Sequence, residues 1–491
     1  MLFVDRQLLA AYHAVNLSRA SVFASMNKSD LPFTTATELS ALLAAKEVSP
    51  VEATEAYLDR IKTLDAKVRA FVTVMADSAL VSAKQKEQEI VQGDYKGPMH
   101  GVPVAIKDQI YTKGVLTTGG SPVFNDFVPP FDATVVENLN AAGAVILGKL
   151  NMTEFATSGL SHQFEPPRNP WDLERSTGGS SSGSGAATAA FLCAASLGED
   201  TGGSVRFPAS WCGLAGIRPT WGRVSRYGVM PGVRSMDTVG PLGRTVADCA
   251  ITLGAIAGQD PKDKLTSNEP VPDYYAALAG GIKALKIGIV RELIYNDSVE
   301  EEVRRSVMAA AATMGDLGGQ VEEISIPLAT SAGPINGAIR VEAPVTYGHL
   351  LRERPHAIAH DNRIAFLASS IMPSPYYYKG LQLRAMLRNQ VLGALDKVDL
   401  LLSPTTGVPA EPLGPDPVIN SKAASSRTPW LLATTFSLAN VPALSVPCGF
   451  TKGGLPIGLQ IAGRPFDEGT VFRAGHSYEQ CTEWHIRKPN I

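Results

Sequence analysis

Cysteine is scarce in this chain, and apolar runs of membrane-spanning length are missing from it. The five cysteines in 491 residues, Cys193, Cys212, Cys249, Cys448 and Cys481, form no C-x-x-C pair, which argues against a disulfide framework or a zinc site and for a reducing compartment. No apolar run reaches the roughly 20 residues that cross a bilayer. The N-terminal MLFVDRQLLAAYHAV carries Asp5 and Arg6 where the apolar stretch of a signal peptide belongs. A cytoplasmic protein is expected, with residues 1–30 a helical leader or a start-site extension. An excess of one charge is also lacking: 44 Lys and Arg face 47 Asp and Glu. That balance leaves no electrostatic footprint for nucleic acid or an anionic membrane. A composition 45% hydrophobic and 19% charged is globular, so small-molecule chemistry is favoured.

Two helix starts are legible near the N-terminus. Thr35 with Glu38, and Ser49 with Pro50 and Glu52, have capping-box spacing. Beyond them, strand-like runs from Phe71 (FVTVM), Val102 (VPVAI) and Ala144 (AVIL) alternate with helical stretches such as DATVVENLNAAG from Asp132. This is the pattern of an α/β protein with a parallel or mixed sheet. Residues 185–197, GAATAAFLCAASL, are small and apolar on every side and predict a buried helix. Further strands are expected from Val398 (VDLLLSP) and Ala443 (ALSVPCGF), after a helical, proline-punctuated region around 300–395. No internal repeat or linker divides the chain.

The chemistry-bearing residues sit in three segments: Lys107 in GVPVAIKD, Ser180 in STGGSSSGSG, and Ser204 in GEDTGGSVRFPAS. A serine hydroxyl is a poor nucleophile until a base takes its proton, and these segments supply nucleophile, relay and base without histidine or metal. Each also has an ordinary reading. GGSSSGSG resembles a flexible linker, yet it is short and runs directly into an apolar helix. Gly179-Ser180-Ser181-Ser182-Gly183 fits a nucleophile elbow centred on Ser181, which would need a preceding strand and a histidine from among His349, His356, His360, His476 and His485. Gly143 to Lys149 nearly matches a phosphate loop, but Leu150 stands where Ser or Thr must bind magnesium. Ser25 and Lys28 form an isolated S-x-x-K pair without the partner motifs of that class. Lys107 could be a snorkelling surface group or, if desolvated, a neutral base. Gly202-Gly203-Ser204 is either a tight turn or a nest of N–H groups for an oxyanion.

Taken together, GGSSSGSGAATAAFLCAASLGEDTGGSVRFPASWCGLAGIRPTWGR closely resembles the amidase signature family. GVPVAIKD, GKLNMTEFA, VGPLGRTVAD, LLLSPTT, NVPALSVPCGF and GLPIGLQIAGRPFDE are similar to its other recurring segments, in order over about residues 31–485. The resemblance implies an α/β/α fold: one large twisted mixed sheet between helices, in a single domain over 31–491, with core motifs in 100–245 and a more variable substrate side at about 260–395. It implies Ser204 as acylated nucleophile, Ser180 as relay after a cis peptide from Gly179, and Lys107 as base. It further implies an oxyanion hole at Thr201, Gly202, Gly203 and Ser204, with Gly179, Ser181, Asp200 and Arg206 in support.

The implied activity is hydrolysis of small-molecule amides, carbamates or esters by a monomer or homodimer, without cofactor, metal, nucleic acid or membrane span. Met152, Phe155, Ala156 and Ser158 match the family's channel-facing region. The aromatic cluster Tyr376, Tyr377 and Tyr378 suits an apolar substrate, and equally suits core or interface packing. The family also includes the glutaminase subunit of tRNA-dependent amidotransferases, and Tyr227 in GRVSRYGV is similar to that branch. The aspartate that holds the substrate amine there aligns at about Ala433, and no counterpart of the branch's arginine-bearing ARFDG is evident near RVEAPVTYGH. A stand-alone hydrolase is therefore the expectation.

Overall fold

In the computed structural model, which describes residues 27–157, 163–413 and 431–491, both expected capping boxes are present. Thr35 caps the helix Ala36–Ala44 and Ser49 caps Pro50–Val68; each hydroxyl accepts from the third helical N–H, and Glu38 and Glu52 accept from the cap N–H groups. Two orphan donors are satisfied at each start, and Pro50 loses nothing there because its missing N–H has no helical partner. Among the described residues no helix is long and apolar enough to cross a membrane.

Among the described residues there are thirteen strands: β1 (Phe71–Val74), β2 (Pro103–Lys107), β3 (Val145–Leu150), β4 (Arg168–Asn169), β5 (Asp172–Ser176), β6 (Ala195–Asp200), β7 (Ala215–Arg218), β8 (Thr238–Gly243), β9 (Lys286–Val290), β10 (Gln320–Ile324), β11 (Leu400–Pro404), β12 (Ala443–Phe450) and β13 (Pro456–Ala462). β4 and β5 pair alone; the other eleven form one mixed sheet in the order β1-β3-β2-β6-β8-β7-β12-β13-β11-β9-β10. β2 runs parallel to both β3 and β6, and every residue of the three is buried. Their apolar runs without alternation are what burial on both faces requires. Since β2 and β6 are parallel, Lys107 and Asp200, their last residues, emerge at the same end of the sheet.

The helix expected over 185–197 is shorter and starts earlier, at Ser182–Ala189. Phe191 then takes a left-handed φ of 60° and the chain turns into β6 at Ala195. Both elements are buried throughout and rich in small residues, so composition could not separate a buried helix from the buried strand after it. The glycines in this stretch serve close approach: a Cβ on Gly183 would lie 2.5 Å from Ala70 O and 2.6 Å from Asn151 N. The helix thereby packs against the chain leaving β3.

Candidate active site

Lys107 is not a snorkelling group; it is fully buried at the end of β2. Its Nζ lies 2.7 Å from Ser180 Oγ, 3.2 Å from the Glu199 carbonyl and 3.5 Å from Glu199 Oε2. Burial pushes the lysine pKa below its ordinary range, and the neighbouring Glu199 opposes that shift.

The Gly179–Ser180 peptide is cis. The Ser180 carbonyl accepts from Thr153 N–H at 3.1 Å, and Ser181 N–H donates to the Ser204 carbonyl at 3.3 Å. Ser181 is fully buried, with its Oγ 3.2 Å from both the carbonyl and the N–H of Glu199. It ties the serine loop to β6. The nucleophile-elbow reading also lacks a base, since no histidine is among the described residues around this cavity.

The turn after β6 is held by Asp200 and Arg206, both fully buried. Arg206 Nε donates to Asp200 Oδ2 and Nη2 to Oδ1, each at 3.0 Å. Arg218 approaches Oδ1 at 3.2 Å from β7. Burial alone would raise the Asp200 pKa, but the two guanidiniums hold it well below the usual carboxylate range. Arg206 also donates to the Ala433 carbonyl at 2.8 Å. The position aligned with the amine-holding aspartate is thus a buried backbone contact.

Asp200 changes the expected donor set. Gly203 N–H donates to Asp200 Oδ1 at 2.8 Å and Val205 N–H to Oδ2 at 3.2 Å, so Gly203 is not available to an oxyanion, against the expectation. The N–H groups of Thr201, Gly202 and Ser204 have no protein acceptor among the described residues. Thr434 Oγ1 fixes the turn from the far side by donating to the Gly202 carbonyl at 2.8 Å.

Ser180, Ser204, Thr201 and Gly202 share one cavity with Ala156, Phe207, Trp211, Asn336 and Arg340. Of the expected substrate contacts, Ala156 is in the lining and Ser158 lies outside the described residues. Met152 and Phe155 are buried but are not part of the lining. The Phe155 ring is stacked on Tyr347 at 4.5 Å in a satellite apolar cluster with Phe366. Tyr377 is corrected too: residues 376–378 belong to the helix Ser374–Leu395, where the Tyr377 hydroxyl donates to Glu342 Oε1 at 3.1 Å. Tyr376 and Tyr378 are exposed. A larger cavity of about 370 Å³ is lined by other residues, among them Phe33, Arg244 and Lys488.

Sequence reasoning missed three groups. Arg340 stands in RVEA, the segment where no arginine-bearing counterpart is evident from the motif, yet it lines the cavity, and its Nη2 donates to the Thr157 carbonyl. Nearby Asn336 has a buried Oδ1 with no partner among the described residues. The third, Glu199, is fully buried between Lys107 and Thr201. Its signal was available: two adjacent acids close a strand that is otherwise small and apolar. Such an arrangement can remove a serine proton and hold developing negative charge on N–H groups.

Residues 52–472 match the Amidase family. The chain belongs to this family. It is 43% identical to a Glutamyl-tRNA(Gln) amidotransferase subunit of Moorella thermoacetica, across 94% of this chain and 99% of the relative. Among solved structures, a chain of a vestigial protein complex that reveals the evolutionary origins of an s-triazine catabolic enzyme superposes with a TM-score of 0.86 at 31% identity, covering 93% of this chain and all of the other. The peptide amidase of Stenotrophomonas maltophilia gives 0.80 at 30%, covering 93% and 98%. The amidase fold accounts for the eleven-stranded mixed sheet and its helices. The similarity to an amidotransferase subunit runs against the expectation of a stand-alone hydrolase.

Proposed function

We propose that this amidase cleaves C–N amide bonds of small molecules through an acyl-enzyme on Ser204, and that its preferred substrate carries a carboxylate that docks on Arg340. The contact between Lys107 Nζ and Ser180 Oγ, in a cavity shared by Ser180, Ser204 and Arg340, carries the reading. Neutral Lys107 takes the Ser180 proton while Ser180 takes that of Ser204, whose Oγ bonds to the amide carbon. The carbonyl oxygen becomes an oxyanion on the N–H groups of Thr201, Gly202 and Ser204. As the C–N bond breaks, the relay returns a proton to the leaving nitrogen, and water repeats the sequence on the ester. Asp200 and Arg206 act as supports of the turn.

Glutamine is the first substrate to test, since it joins a primary amide to a carboxylate and a 43% identical relative is part of a Glutamyl-tRNA(Gln) amidotransferase. On this reading the chain supplies ammonia within a larger assembly. A stand-alone amidase is the second reading. It is favoured by a cavity with no acid in its described lining to pair a substrate ammonium, and by the walls of Phe207 and Trp211. Carbamates and esters present the same carbonyl to the same donors.

A screen of glutamine, acid amides, anilides, carbamates and esters, with fluorophosphonate labelling and peptide mass spectrometry, tests the proposal. The expected label is on Ser204, with acid amides preferred. A label on Ser181, or none, overturns the mechanism; preference for uncharged anilides removes the role of Arg340 and selects the second reading.

A further inference from the structure

The hydrogens around Glu199 can be counted. Thr201 Oγ1 lies 2.7 Å from Asp237 Oδ1 and 3.0 Å from Glu199 Oε1. A hydroxyl has one proton to donate, so it serves one of these oxygens and the other contact needs a proton from a carboxyl. Asp237 already accepts from Gly232 N–H and Val233 N–H, both at 2.8 Å, and its contact with Thr201 is the shorter one. The Thr201 proton therefore goes to Asp237, and the proton between Glu199 and Thr201 belongs to Glu199.

The other end of Glu199, where Gln109 Nε2 also donates to Oε2 at 3.4 Å, is compatible with that assignment. Lys107 Nζ has three neighbours: Ser180 Oγ, the Glu199 carbonyl and Glu199 Oε2. A free amine has two N–H groups and one lone pair. In that form its N–H groups would meet the two Glu199 oxygens, and its lone pair would accept from the Ser180 hydroxyl.

We propose that Glu199 is a positioning residue whose carboxyl is held protonated, donating to Thr201, so that Lys107 rests as the free amine that accepts from Ser180; this rests on the roles proposed above for Lys107, Ser180 and Ser204. During acylation the Ser180 proton moves to Lys107 and Glu199 keeps its own. The new ammonium then stands opposite the new oxyanion and the charge of the site is unchanged. An ionised Glu199 would instead favour the proton on Lys107 before substrate arrives, and would set negative charge beside the donors of Thr201. The groups acting on Glu199 are Lys107 on β2, its neighbour Asp200 on β6, Asp237 ahead of β8, Arg218 on β7 and Tyr347 from the helical region. Burial, aided by Asp237 and Asp200 and opposed by Lys107, shifts Glu199 upward.

The test compares Glu199→Ala with Glu199→Gln, whose amide can donate to Thr201 while its carbonyl faces Lys107. The alanine variant is expected to lose about tenfold or more in kcat, the scale of one hydrogen bond. Glutamine should restore most of that loss and extend the kcat/KM plateau to more alkaline pH, since it has no proton to release. Infrared difference spectra of the wild type should contain the carbonyl stretch of a protonated carboxyl at neutral pH, absent in Glu199→Gln. Thr201→Val, which removes the acceptor, should shift that band even if the Glu199 variants fail to fold. A folded glutamine variant as impaired as the alanine one overturns the proposal, as does an unchanged alkaline limb or the absence of the band. Lys107→Met separates the two readings: full turnover in that variant ends the proposed mechanism, whereas the infrared band reports on Glu199 alone.

Discussion

Asp200 and Arg206 meet in a fork of two 3.0 Å hydrogen bonds with neither side chain reaching solvent. Asp200 also faces Arg218 and accepts from Gly203 N–H, so one carboxylate neutralises buried guanidinium charge and shapes the turn that carries Ser204. Asp200→Asn leaves that charge uncompensated. A loss of about 3–5 kcal/mol is expected by urea titration.

The same pair fixes the acid side of the stability curve. The folded Asp200 pKa lies below its unfolded value, so its contribution is present above the unfolded carboxylate range and is lost as pH falls through the folded value. Urea midpoints measured from neutral to acidic pH should fall less steeply in Asp200→Asn than in the wild type.

Lys107→Met should lower kcat by about 10²–10⁴-fold, the span of a general base. Stability should respond in the opposite sense. A buried lysine with a depressed pKa leaves more protons on the unfolded chain, so stability rises with pH from the folded value toward the unfolded one. Methionine removes that slope and should melt no lower at neutral pH. In the wild type, kcat/KM should fall on the acid side as Lys107 takes up a proton.

Arg340→Ala should raise KM for acid amides by about 10–100-fold, the range of a hydrogen bond to a charged group. KM for an uncharged anilide should move far less. Equal effects on both substrate classes would assign Arg340 to the architecture of the loop at Thr157.

Gly203→Ala strikes the turn directly. Gly203 has a φ of +133°, and an added Cβ would lie 2.5 Å from the Phe207 ring. The variant should fold with a local cost of about 1–3 kcal/mol and lose fluorophosphonate labelling of Ser204, read by mass spectrometry.

Local signals reported local structure well. Both capping boxes are present, and the apolar runs at Phe71, Val102, Ala144, Val398 and Ala443 all contain strands. Lys107, Ser180 and Ser204 stood out because their three segments together resemble the amidase signature family. Sequence could not show where the helix ending at Ala189 gives way to β6, since both are buried on all sides. It could not place Arg340, which reaches the cavity only through the packing of helices distant in sequence. Tyr377 misled because an aromatic cluster suits a substrate pocket and packing equally, and residues 376–378 lie in the first turns of a helix that Pro375 helps to open.

The two halves of the cavity have separate origins. Lys107 and the turn after Asp200 hang from adjacent parallel strands inside the sheet, whereas Asn336 and Arg340 arrive on the excursion of chain between β10, at the sheet's outer edge, and β11. That excursion supplies one wall of the cavity and also packs into the main core through Ile335, Ile339, Leu387 and Val391. Exchanging its helices would therefore reshape that wall without unthreading the sheet only where these core contacts are kept.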